Sequence, residues 1–149
     1  MGLMDEFLGN EADGLLEWAE DLGVRVEFRE IDRYPTSASI LSEYQEEPPA
    51  IIIFRYKPWE EWLQMLCEER LRYFSPWYLI PLTLELYRHL EIHDLYRIKP
   101  PWYDMIGRWR MNSIDRRAEA FAQDILAIPY SLRRFLETVQ MALRPPAPR

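Results

Sequence analysis

Residues 50–54, Ala50-Ile51-Ile52-Ile53-Phe54, form an unbroken apolar run rich in β-branched side chains. Pro48 and Pro49 break the chain just before it, and Pro58 follows shortly after. A run this short between breakers has the signature of a strand buried on both faces. The rest of the chain must therefore cover it from two sides.

The flanking sequence suggests how. Leu15, Leu16, Ala19 and Leu22 recur at helical spacing, so 11–22 is expected to be an amphipathic helix stopped by Gly23. Val24 to Ile31 alternates apolar and polar, the pattern of a half-buried strand. Residues 35–42 read as a turn with a weak strand around Ile40. From Pro58 onward the period becomes helical, and prolines and serines divide it. Helices are expected over 58–74, 77–96, a shorter 102–110, 114–127 with Ser113 as cap, and 131–143. The proline-rich stretch 144–149 reads as a tail. Helix, then strands, then helices only predicts an α+β fold: one mostly helical domain over 1–143 with a small antiparallel or mixed N-terminal sheet.

Composition excludes several classes. With 149 residues, 48% hydrophobic and 14% aromatic, the chain can bury a core and is not a disordered polymer. Its single cysteine, Cys67, lies in an apolar stretch, which excludes a disulfide framework or a cysteine-based zinc cluster. It reads as a small buried hydrophobe. No stretch reaches the ~18 apolar residues of a membrane span, and the basic start of a signal peptide is missing, so a cytoplasmic protein is expected. The net charge of −7 is uneven, with 13 acidic residues and 3 arginines in residues 1–50. That half disfavours nucleic acid as a partner. Arg108, Trp109 and Arg110 with Arg116 and Arg117 could form an aromatic-basic surface, but a solvated helix face is the simpler reading. The same holds for Asp13, Glu17, Glu20 and Asp21. Pro76-Trp77-Tyr78 and Pro101-Trp102-Tyr103 read as packing rather than as a binding platform.

The two histidines, His89 and His93, are four apart. On a helix they share a face about 6 Å apart, and Glu85 joins them one turn earlier. A histidine pair at this spacing is how zinc peptidases hold their metal. Asp115 and Glu119, themselves four apart on the next strong helix, are the carboxylates available to complete a site. The candidate metal ligands are thus His89, His93, Asp115 and Glu119. The catalytic base is missing from its usual place. Leu90 follows His89, and Glu91 points away from the histidine face, so neither can serve as the base beside a metal-bound water.

Several segments together resemble one family. Leu22-Gly23-Val24-Arg25-Val26 closes the first helix and opens a strand; Ala50-Ile51-Ile52-Ile53 is a second strand. Asp115-Arg116-Arg117-Ala118-Glu119-Ala120-Phe121-Ala122 begins a helix that runs to Pro129. In this order, over roughly 12–135, they resemble the ImmA/IrrE family of zinc metallopeptidase-like proteins. The resemblance implies a zincin-type helical core, with 58–78 as an insertion before the metal helix. It places Asp115 at the family's third zinc ligand, a glutamate in relatives. The His-Glu-x-x-His motif falls in one of two registers. Over 84–88, Glu85 matches the base and both histidines are lost. Over 85–89, His89 matches the second ligand, Glu85 replaces the first, and Leu86 stands at the base. Tyr87 and Arg88 are candidates to fill the vacated site.

The resemblance therefore implies a diverged, catalytically inactive protein that binds a protein partner, a transcription regulator by analogy with relatives. No cofactor is expected, or zinc if the residual site works. One alternative is an active zinc-dependent peptidase with a non-standard site. Another is a phage or mobile-element interaction protein that inhibits a host machine.

Overall fold

The computed structural model describes residues 3–33, 41–98 and 113–143. These form five helices and a three-stranded mixed sheet, an α+β arrangement with 55% helix and 15% strand. In chain order they are α1 (Leu3–Asp21), β1 (Arg25–Glu30), β2 (Ser42–Gln45), β3 (Ala50–Arg55), α2 (Lys57–Arg70), α3 (Leu79–Ile92), α4 (Ile114–Ile125) and α5 (Leu132–Leu143). The expected helix at 102–110, the weak strand at Ile40 and the tail at 144–149 lie outside the described residues.

β3 is the centre of the sheet, in the order β1-β3-β2. It runs parallel to β1, with Val26 opposite Ile51 and Phe28 opposite Ile53, and antiparallel to β2, with Tyr44 opposite Ile51. The central position explains the composition: Ile51, Ile52 and Ile53 are fully buried. Burying such a side chain contributes about 1.5–3 kcal/mol relative to leaving it exposed. β1 departs from expectation. It alternates in sequence, yet four of its six residues are exposed, because it is an edge strand.

α1 begins earlier than the sequence pattern suggests, at Leu3 rather than near residue 11. Leu15, Ala19 and Val24 join Ile51 and Ile53 in the core, while Asp13, Glu17, Glu20 and Asp21 are exposed. Gly23 takes φ +75°, a left-handed conformation that suits glycine after a helix. α2 stops at Arg70, four residues before the expected end, and Leu71 and Tyr73 continue into the core as irregular chain. Gln64 holds this segment: its amide donates to the Ser75 carbonyl at 3.0 Å and accepts from the Trp77 backbone N–H at 2.8 Å. Trp77 is buried, as packing requires and a binding platform does not.

α3 is buried on most of its circumference, with Leu79, Leu82 and Leu86 fully covered. It lies between the sheet and α4. Pro81 sits in its first turn, where the missing N–H has no helical partner to lose. On one flank Tyr87 packs on Phe121 of α4, ring centroids 5.1 Å apart. α4 is capped as its sequence predicts: the Ser113 hydroxyl accepts from the Arg116 backbone N–H at 3.3 Å. No helix among the described residues is long and apolar enough to cross a membrane.

Candidate functional site

β2 runs along α3, and their repeats match. Two residues of strand advance about 6.8 Å and four residues of helix about 6.0 Å. Ser42 and Tyr44, two apart on one face of β2, therefore meet Glu85 and His89, four apart on α3. The Ser42 hydroxyl donates to Glu85 Oε1 at 3.1 Å, and the Tyr44 hydroxyl bonds His89 Nδ1 at 2.7 Å. Glu85 and His89 are both buried, at 3% and 4% exposure.

Arg88, one turn beyond Glu85, turns back over it. Its Nε lies 3.4 Å from Glu85 Oε1, and its Nη2 donates to Asp115 on α4. Glu119, one turn further along α4, takes Arg133 of α5 at 3.1 Å and Arg116 at 3.8 Å. These groups line a cleft of about 140 Å³ between α3, α4 and α5, whose apolar wall includes Pro81, Leu84, Leu136 and Val139. His93 ends α3 in solvent, its ring centroid 4.5 Å from that of His89.

Burial sets the charge states. The Glu85 carboxyl is pushed above the usual range by burial and by Asp115, against the pull of Arg88 and Ser42. The His89 imidazole is held below its ordinary value, first by burial and then by His93. It is the neutral ring that meets Tyr44. The Tyr44 phenol is raised by burial, Glu46 and Glu85.

The four residues considered as metal ligands divide into separate groups. His89 and His93 sit together beside Tyr44; Asp115 belongs to Arg88 and Glu85; Glu119 belongs to Arg133. Among the described residues, no group of three or more His, Cys, Asp or Glu side chains is placed to hold a metal ion. The donor set does not fit zinc as arranged, because a guanidinium already lies between the two carboxylates that would have to share the ion. Of the two residues considered as fillers, Arg88 enters the site. Tyr87 does not: it is buried on the other flank, where its hydroxyl accepts from the Ile98 N–H at 3.1 Å. Glu91 also faces away, and its carboxylate accepts from Arg117 Nε at 2.9 Å. That pair removes Arg117 from any basic surface, since its side chain is 9% exposed. Arg108, Trp109 and Arg110 lie outside the described residues.

Ser42, Tyr44 and Arg133 escaped the sequence reading. Nothing near Ser42 or Tyr44 in sequence marks them; only the match of strand and helix repeats brings them to α3. Arg88 carried a signal, being three residues from Glu85 on a helix, the spacing of an ion pair.

No family model, no curated protein and no solved structure matches this chain in the three comparisons made.

Proposed function

We propose that this chain is a catalytically inactive, ImmA/IrrE-like domain that acts by binding a protein partner, with a transcription regulator as the class suggested by the resemblance. The observation that carries the reading is the Arg88 guanidinium, set between Glu85 and Asp115. Those are the positions that the resemblance assigns to the metal site. A fixed cation on a side chain neutralises carboxylates without polarising a substrate or activating water, so it preserves a fold and not a hydrolytic reaction. Wherever a histidine ligand is kept, the base position is apolar, with Leu86 in the 85–89 register and Leu90 after His89; the 84–88 register keeps Glu85 as base and loses both histidines.

The cleft supports a binding role of limited size. Its volume of about 140 Å³ is well under the about 300–1,000 Å³ of small-molecule sites. It suits one side chain of a larger partner, with an apolar wall for the stem and fixed charges for the tip.

The test is elemental analysis of untagged protein dialysed against trace zinc. Substoichiometric metal, unchanged in His89→Ala and Asp115→Ala, is the expected result. About one zinc per chain, lost in both variants, would overturn the reading in favour of the metal hydrolase.

A further inference from the structure

β3 uses both of its edges, so β1 and β2 each leave an edge open among the described residues. The backbone of β1 shows which groups are free. The Arg25 N–H donates to the Pro49 carbonyl at 3.1 Å, and the Ile31 N–H donates to the Arg55 carbonyl at 3.0 Å. Odd-numbered residues therefore turn their amides toward β3. Strand alternation turns the N–H and C=O of Val26, Phe28 and Glu30 outward. This row is unprotected: β1 contains no proline, and Phe28 in its middle is 39% exposed. Open edges of this kind are templates for another strand.

We propose that β1 pairs antiparallel with β1 of a second copy of this chain, about a twofold axis at Phe28, joining two three-stranded sheets into one. The side chains select both partner and register. With the axis at Phe28, Phe28 faces its own copy, Val26 faces Glu30, and Glu27 faces Arg29 on both sides of the axis. An axis at Glu27 sets Glu27 against Glu27 and Arg25 against Arg29. An axis at Arg29 sets arginine against arginine. An axis at Val26 also sets Arg25 against Glu27, but it puts Phe28 opposite Val24, whose N–H already donates to the Ala19 carbonyl at 2.9 Å, and an axis at Glu30 sets Glu30 against its own copy. The Phe28 register combines opposite charges across the junction with outward backbone groups on both strands, and directly opposed like charges are destabilising.

The backbone agrees with the charges. Residues 26, 28 and 30 have outward amides and fall opposite 30, 28 and 26, giving about six hydrogen bonds in three exchanged pairs. Glu27 and Arg29 then occupy the non-hydrogen-bonded positions, where side chains approach most closely. Val26 and Phe28 share the core-side face with Ile51 and Ile53, so the phenyl pair extends the apolar layer under the sheet. The other edge offers no such match. On β2 an axis at Glu43 or at Gln45 sets glutamate against glutamate, and an axis at Tyr44 sets Glu43 against Gln45, so no register there pairs opposite charges. A twofold axis closes the assembly at two copies. An interface built on one short strand belongs to the weak, reversible class.

Sedimentation equilibrium of the untagged full chain, from low micromolar to submillimolar, tests this. A reversible monomer–dimer equilibrium is expected. Glu27→Arg places arginine against Arg29 twice, and should raise the dissociation constant at least about tenfold. Arg29→Glu should do the same, and the two together should restore dimerisation. Phe28→Cys reads the register directly. Opposed hydrogen-bonded residues lie about 5.5 Å apart at Cα, within disulfide reach. Phe28→Cys should therefore crosslink under mild oxidation, and Glu30→Cys, whose copies fall four residues apart, should not. Buried Cys67 does not compete. A chain that stays monomeric, a dimer indifferent to Glu27→Arg, crosslinking through Glu30→Cys, or assembly beyond two copies would each overturn the proposal.

Discussion

Replacing Arg88 with methionine isolates what the guanidinium contributes, because the apolar stem is kept and only the charge is removed. In the folded protein Glu85 is 4% exposed at its side chain, and its nearest cation is Arg88 at 3.4 Å. Removing one partner of a fully buried pair costs about 3–5 kcal/mol. Here the figure must be discounted, since Arg88 is 28% exposed and Asp115 59% exposed. The Ser42 hydroxyl also remains on Glu85. A loss of about 2 kcal/mol at neutral pH follows, near the cost of leaving one charged group short of a partner. For a chain of this length that lowers Tm by about 4–8 °C. The sign of the pH dependence follows from Glu85, whose folded pKa lies above its ordinary value because burial disfavours its charge. The loss is full where Glu85 is ionised in the variant. It shrinks as pH falls through the raised folded value, and is absent below the unfolded value of about 4.3. Thermal unfolding followed by circular dichroism at about pH 7.5 and about pH 4.5 reads both arms. A variant as stable as the parent at the higher pH would refute the pairing. An equal loss at both values would show that the stem's packing matters and the charge does not.

Three further measurements probe other contacts. Tyr44→Phe removes the hydroxyl on His89 Nδ1 and should cost about 1 kcal/mol in chemical denaturation; an unchanged midpoint would place the strand–helix register elsewhere. Arg117→Ala leaves the Glu91 carboxylate, which Arg117 holds below its ordinary pKa, with only the Tyr87 hydroxyl as a close hydrogen-bond partner, and should cost about 2 kcal/mol at neutral pH. Because that pKa is depressed, the contribution is present above about 4.3 and lost as pH falls through the folded value, so parent and variant melts should converge in acid. The Cys67 thiol is fully buried and pushed up to about 12. It should resist a thiol reagent until the chain unfolds, and rapid labelling of native protein would contradict its burial.

The sheet was partly legible in the sequence. The run at 50–54 announced a doubly covered strand because burial on both faces leaves no polar positions. The alternation at 24–31 announced a strand but not its place: an edge strand and an inner one can share a pattern, and only pairing with β3 decides exposure. Helix ends moved where tertiary contacts outweighed local signals, as when α2 stops so that Leu71 and Tyr73 can enter the core. For the site, helical spacing correctly put Glu85 and His89 on one face and Glu91 on another. It also put the two histidines side by side, and their ring centroids do lie 4.5 Å apart; it did not show that the fold buries His89 beside Tyr44 and leaves His93 at an exposed helix end. The carboxylates were read as ligands because sequence displays residue types, not partners, and arginines supplied by α3 and α5 claim them in space.

The middle of the sheet is the last strand to be synthesised. β1 and β2 are both complete before residue 50, yet neither pairs with the other, and each waits for β3. A nascent chain that stops short of Ala50 holds two strands with no ladder to join, and closure of the loop from Arg25 to Ala50 is deferred until β3 emerges. Ile51, Ile52 and Ile53 then appear together, a β-branched segment able to pair with any open edge in reach. The same few residues that complete the fold are thus the ones most exposed to misassembly on the ribosome, before α3 exists to pack against them.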